Sequence, residues 1–157
     1  MRKVVFVGAL MAGAVMMLSS SAALADNWIG TWKMNAAKSK FSPGPAPKSQ
    51  VNKWETTPAG TKFSGEIVDA EGKSIHTSWT SKLDGKDVPY DGNPNADTAS
   101  PKKIDDNTYV NPWKKGGKPT MESKAVVAAD GKTMTITQIG KNAKGEAVNN
   151  TVVYDKE

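Results

Sequence analysis

The sequence predicts an all-β domain, an antiparallel up-and-down meander of about eight to ten strands that closes into a barrel. Three observations carry that expectation. Turn signals recur roughly every dozen residues. The stretches between them are β-branched and aromatic with a two-residue period, and no sustained helical period occurs beyond the N-terminal segment.

The turns fall at residues 69–73, at Asp84-Gly85-Lys86, at 105–107, around Gly116-Gly117, at Asp130-Gly131-Lys132 and at 142–146. Asp-Gly and Gly-Gly supply the positive φ angles of tight hairpins, so consecutive strands are expected to pair antiparallel. Between them the side chains sort by face. In residues 74–83 one face carries Ile75, Thr77, Trp79, Ser81 and Leu83, and the other Ser74, His76, Ser78, Thr80 and Lys82. The same alternation groups Phe63 with Gly65 and Ile67, Met134 with Ile136 and Gln138, and Val148 with Asn150, Val152 and Tyr154.

One region breaks the pattern. Pro43, Pro45 and Pro47 remove ladder donors and favour an extended polyproline path. Residues 35–49 therefore read as a long connection, an ordered strap over one end of the sheet; a lid or a proline-motif ligand is the alternative. A second loop, 89–101, is rich in Asp, Asn and Pro.

At the N-terminus, Arg2 and Lys3 precede an apolar run from Val4 to Leu18, a serine cluster and Ala23-Leu24-Ala25. A short cationic region, an apolar core and an A-x-A site are the parts of a cleavable secretory signal. The run is shorter than the about 20 residues a helix needs to cross a bilayer. The expectation is a signal-peptide helix over residues 1–25, cleavage after Ala25, and one domain over 26–157. The product would be periplasmic or secreted, without a membrane anchor after cleavage.

Composition excludes several chemistries. The chain has no cysteine and one histidine, His76, on the polar face of its strand. Disulfides, thiolate chemistry and ordinary zinc, copper or haem sites lack their ligands, and no cofactor is expected. No G-x-S-x-G elbow accompanies His76, so a serine triad is not indicated. Lys and Arg total 21 against 16 Asp and Glu, and Arg2 is the only arginine. This modest positive excess is spread along the chain, unlike the clustered patch that phosphate-backbone binding requires, so nucleic acid is not an expected partner. Residues 91–97 resemble the first half of a calcium loop, but Ala96 and Lys102 stand where an EF-hand needs glycine and glutamate.

Trp28-Ile29-Gly30-Thr31-Trp32-Lys33 puts a G-x-W on the first strand. That motif resembles the opening of lipocalin-type proteins, where the tryptophan packs across the closed end of a barrel. With residues 38–48, Asn93-Pro94-Asn95-Ala96-Asp97 and 129–135, the chain resembles uncharacterised exported bacterial proteins described only as lipocalin-like, which carry no assigned activity. The resemblance implies a calycin-type barrel. The late arginine that stacks on the lipocalin tryptophan is absent, with Lys156 a poorer substitute, and so is the T-D-Y type motif.

The inward faces mix apolar residues with Thr77, Ser81, Gln138, Asn150 and Gly65, a sparse filling for a solid core. A barrel of this size can hold one small molecule. The first functional expectation is thus a non-enzymatic barrel that binds a small hydrophobic or amphipathic ligand, with Trp32, Trp54, Phe63 and Trp79 as wall residues. The second is a structural or protein-interaction module of the cell envelope. The third is a hydrolase whose carboxylates only the fold brings together.

Overall fold

The computed structural model describes residues 25–157, so the expected signal segment, apart from Ala25, lies outside the described residues. The described chain is all-β, with a single 3-10 turn at Ala36–Lys38. Its eleven strands are β1 (Gly30–Met34), β2 (Ser49–Thr57), β3 (Gly60–Val68), β4 (Ser74–Ser81), β5 (Val88–Pro89), β6 (Thr98–Ala99), β7 (Lys102–Lys103), β8 (Thr108–Lys115), β9 (Lys118–Val127), β10 (Thr133–Lys141) and β11 (Ala147–Lys156). Alternation explains the long ones. On β9, Met121, Ser123, Ala125 and Val127 are buried, while Glu122, Lys124 and Val126 between them are exposed.

The sheet runs β4-β3-β2-β1-β11-β10-β9-β8-β6-β5, with β7 also on β8. Every pairing is antiparallel, and β1 joins the two ends of the chain by pairing with both β2 and β11. The remaining seam, between β4 and the loop after β5, is closed by one reciprocal pair. Ser78 N–H donates to Asp91 O at 3.0 Å, and Asp91 N–H donates to Ser78 O at 2.9 Å. From there the ladder continues through Tyr90 N–H to Asp97 O and Asp97 N–H to Lys114 O, both 2.9 Å. The loop expected at 89–101 is therefore a piece of the barrel wall. Gly92 permits its approach: its φ is +72°, and a Cβ there would stand 1.9 Å from the His76 carbonyl oxygen.

One end of the barrel is packed shut. Trp28, Trp32 and Met134 are fully buried there, and Trp32 Nε1 donates to the Trp28 carbonyl at 2.8 Å. Lys156 Nζ lies over the Trp32 ring, 5.2 Å from its centroid. Lys103 Nζ sits 5.8 Å from the centroid of the Trp28 ring and bridges Asp26 and Asp106 at 2.6 and 2.9 Å.

At the other end the strap follows β11 before crossing to β2. Lys40 and Thr151 exchange backbone bonds of 2.7 and 2.9 Å, Asn149 N–H donates to Ser42 O at 2.8 Å, and Lys48 N–H donates to Val68 O at 2.8 Å. The three prolines lie between these anchors, where a strand would need donors they lack.

Candidate functional site

The end opposite Trp28 and Trp32 is hollow. A cavity of about 480 Å³ opens there, within the range of roughly 300–1,000 Å³ usual for small-molecule sites. Its walls come from the inward faces of β2, β3, β4, β8, β9, β10 and β11. Its mouth is framed by the strap, the β3–β4 and β10–β11 hairpins and the 93–95 loop.

The lumen has an aromatic side. Trp54, Phe63 and Trp79 are cross-strand neighbours on β2, β3 and β4, so hairpin register alone sets them side by side. Trp54 and Phe63 centroids are 5.0 Å apart, and Phe63 stacks on Trp79 at 5.4 Å. Tyr109 meets both tryptophans edge-on at 6.1 and 6.3 Å, and Tyr90 meets Trp113 at 5.4 Å. Such pairs add about 0.5–1.5 kcal/mol each beyond area burial, which holds the rings in place whether or not the cavity is filled.

It also has two polar rows. Asn111, Ser123, Gln138 and Asn150 are consecutive partners across β8, β9, β10 and β11. Asn52 and Thr77 belong to a second row across β2, β3 and β4, with Gly65 between them. A Cβ on Gly65 would stand 2.7 Å from Thr77 Oγ1 and 3.1 Å from Phe63 Cζ, so a bare backbone there leaves the flanking polar groups room to face inward.

These groups are partly engaged with one another. Asn52 Oδ1 accepts from Gln50 Nε2 at 3.2 Å, Asn111 Oδ1 accepts from Ser100 N–H at 3.1 Å, and Gln138 Oε1 accepts from Asn150 Nδ2 at 3.1 Å. Asn150 Oδ1 accepts the Ser42 N–H at 3.0 Å, tying the strap to the polar wall. The buried ring nitrogens of Trp54 and Trp113 have no hydrogen-bond partner among the described residues. Trp54 lies near enough to the Tyr109 hydroxyl to act on its ionisation, but the two do not reach bonding geometry.

Burial governs the three tyrosines. Loss of hydration pushes the Tyr90 hydroxyl up to about 12 and raises those of Tyr109 and Tyr154 well above the ordinary value, so all three are neutral around pH 7. The charged lining residues, Asp69, Glu71 and Lys144, all sit in the mouth hairpins.

Of the four expected wall residues, the structure brings Trp54, Phe63 and Trp79 together on the cavity and places Trp32 in the packed end, outside its lining. Of the expected inward polar residues, Thr77, Gln138 and Asn150 line the cavity, whereas Ser81 accepts from Leu83 N–H at 3.0 Å near the closed end. Asn52, Asn111, Ser123, Tyr90, Tyr109 and Trp113 line it without having been singled out as inward polar or wall positions; the alternation of Tyr109, Asn111 and Trp113 was the available signal. It is interrupted by Pro112, which reads against a strand and coincides with a register shift on β8.

The other candidates resolve differently. His76 is exposed and its Nδ1 lies 2.8 Å from Glu66 Oε1 on the outer surface. In the 91–97 loop, Asn93 Oδ1 accepts from Asn95 N–H, Asn95 Oδ1 from Ala143 N–H, and Asp97 from Thr98 Oγ1 and Gly116 N–H, so these oxygens hold the loop and latch it to the β10–β11 hairpin. Among the described residues, no group of three or more His, Cys, Asp or Glu is placed to hold a metal ion.

Fold and site together define an antiparallel, nearly closed β-barrel with a lumen closed at one end and open at the other. No protein-family model matches the sequence, and no curated protein matches it. Among solved structures the chain is similar to zebrafish ileal bile acid-binding protein complexed with cholic acid, at 9% sequence identity and a TM-score of 0.48, over 83% of this chain and 99% of that one.

Proposed function

We propose that this chain is an exported, non-catalytic carrier that holds one small, partly apolar molecule inside its barrel. The observation that carries this reading is the cavity of about 480 Å³, aromatic on one side and lined with amides and hydroxyls on the other. A solid barrel would fill that space with interlocked hydrocarbon, because protein interiors pack to crystal-like density. Trp54, Phe63 and Trp79 are the proposed ligand contacts. Trp32 supports the closed end beneath them.

Export rests on the signal-like residues 1–25, and kinship with exported bacterial lipocalin-like proteins rests on the G-x-W start and the segments named with it. Mass measurement of the native protein recovered from the periplasm or medium tests both cleavage after Ala25 and location. The strap serves carriage better than partner recruitment, since Pro43, Pro45 and Pro47 line the mouth.

Titration with a panel of lipids, sterols and aromatic probes, followed by tryptophan fluorescence, tests carriage. A saturable change at one site per chain is expected, weakened by Trp79→Ala. Absence of any saturable change across the panel defeats the reading.

A further inference from the structure

Building on the carrier reading, we infer that the lumen selects an uncharged, ring-bearing molecule with oxygen acceptors and rejects the corresponding carboxylate. The orientation of the polar wall leads there. A backbone N–H can only donate, so the oxygen of the Asn111 amide is the atom that meets Ser100 N–H at 3.1 Å, in a bond shared with the Pro112 carbonyl at 2.9 Å, and the oxygen of the Asn150 amide likewise meets Ser42 N–H. Asn150 must then present its Nδ2 to Gln138, which turns the Gln138 carbonyl toward Asn150. The result is one-sided. The amide oxygens of Asn111 and Gln138 are engaged, while Asn111 Nδ2 and Gln138 Nε2 donate to no protein acceptor among the described residues, although both side chains line the cavity.

Unmatched donors in a sheltered site call for acceptors on the occupant: a carbonyl, ether or hydroxyl oxygen. The rings of Trp54, Phe63 and Trp79 across the lumen offer a π surface for a flat apolar body. A carboxylate would also accept from the amides, but it needs a cation as well. Lys144 lies at the mouth, and no arginine exists after Arg2. Burial raises all three lumen tyrosines above their ordinary value, the direction expected where lost hydration disfavours charge.

Three probes of nearly equal shape separate the terms: acetylnaphthalene, ethylnaphthalene and naphthoate, substituted at the same ring position and measured by equilibrium dialysis on the mature chain. The acetyl compound is expected to bind about two- to tenfold more tightly than the ethyl compound, the range of one neutral hydrogen bond. Naphthoate is expected to bind at least about tenfold more weakly than the acetyl compound. Gln138→Met removes the donor and is expected to bring the acetyl-to-ethyl ratio toward one. Should that variant fail to fold, the order of the three probes on the unaltered chain decides. Naphthoate binding as tightly as the acetyl compound, or an acetyl-to-ethyl ratio of one, overturns the selectivity and leaves carriage standing. Saturable binding by none of the three also overturns the selectivity, while carriage itself stands or falls on the wider panel of lipids, sterols and aromatic probes.

Discussion

Barrel closure depends on one glycine. At Gly92 the backbone is left-handed, with φ +72°, and a Cβ would lie 1.9 Å from the His76 carbonyl oxygen. Gly92→Ala therefore meets two penalties. An L-residue in that conformation costs about 1–2 kcal/mol. The contact cannot be relieved by a side chain, because the opposing atom is backbone, so Asp91 has to move away from Ser78. Their two hydrogen bonds, 2.9 and 3.0 Å, are worth about 0.5–1.5 kcal/mol each. The expected loss is about 2–5 kcal/mol, a large share of a domain's usual 5–15 kcal/mol. Gly131→Ala is the control: φ is +71° there, but nothing lies within 4 Å of the added Cβ, so only the conformational penalty applies. Urea denaturation of both variants, with hydrogen exchange at the Ser78 and Asp91 amides, measures the difference. Gly92→Ala is expected to be less stable than Gly131→Ala by about 1–3 kcal/mol and to lose protection at both amides. Equal stability with protection retained would show that this pair does not close the barrel.

The three tyrosines make alkaline stability predictable. Burial raises Tyr90 to about 12 in the folded chain and holds the other two well above the ordinary value of 10.0. The unfolded chain releases these protons first, so the stability they confer is complete below pH 10 and is lost as pH rises through the folded values. Phenolate absorbance is expected to appear together with unfolding and not as a separate titration near pH 10. At the closed end, Lys156→Ala is expected to destabilise by about 0.5–1 kcal/mol through loss of the cation over Trp32, and Lys156→Arg to match or exceed the native chain in thermal melts. Calcium is expected to leave the melting temperature unchanged, since the side-chain oxygens of Asn93, Asn95 and Asp97 already accept hydrogen bonds within the protein; a rise reversed by chelator would contradict this.

Much of the wall was readable from alternation. Once Trp79 and Thr77 fall on one face of a strand, they stay on one face of the sheet, because successive side chains project to opposite sides. Alternation gives the face but not the height along the barrel. Trp32 and Trp54 both point inward, yet Trp54 reaches the cavity and Trp32 packs in the closed end. The 84–101 segment was harder to read. Its two-residue strands are too short for a periodic signal, and they hold because Asp87 accepts from Ser100 Oγ at 2.5 Å and Lys114 Nζ at 2.7 Å, contacts between residues far apart in the chain.

The sequence by itself determined the all-β class, the inward faces of the long strands and the strap, because turn chemistry, two-residue periodicity and the lack of proline donors are local properties. Only the tertiary structure decided that the interior is hollow, that Asn111, Ser123, Gln138 and Asn150 form one continuous row, and that their amides leave donors facing it. Those facts depend on register between strands distant in sequence and on how much volume the converging side chains leave unfilled, and neither quantity is carried by any single segment.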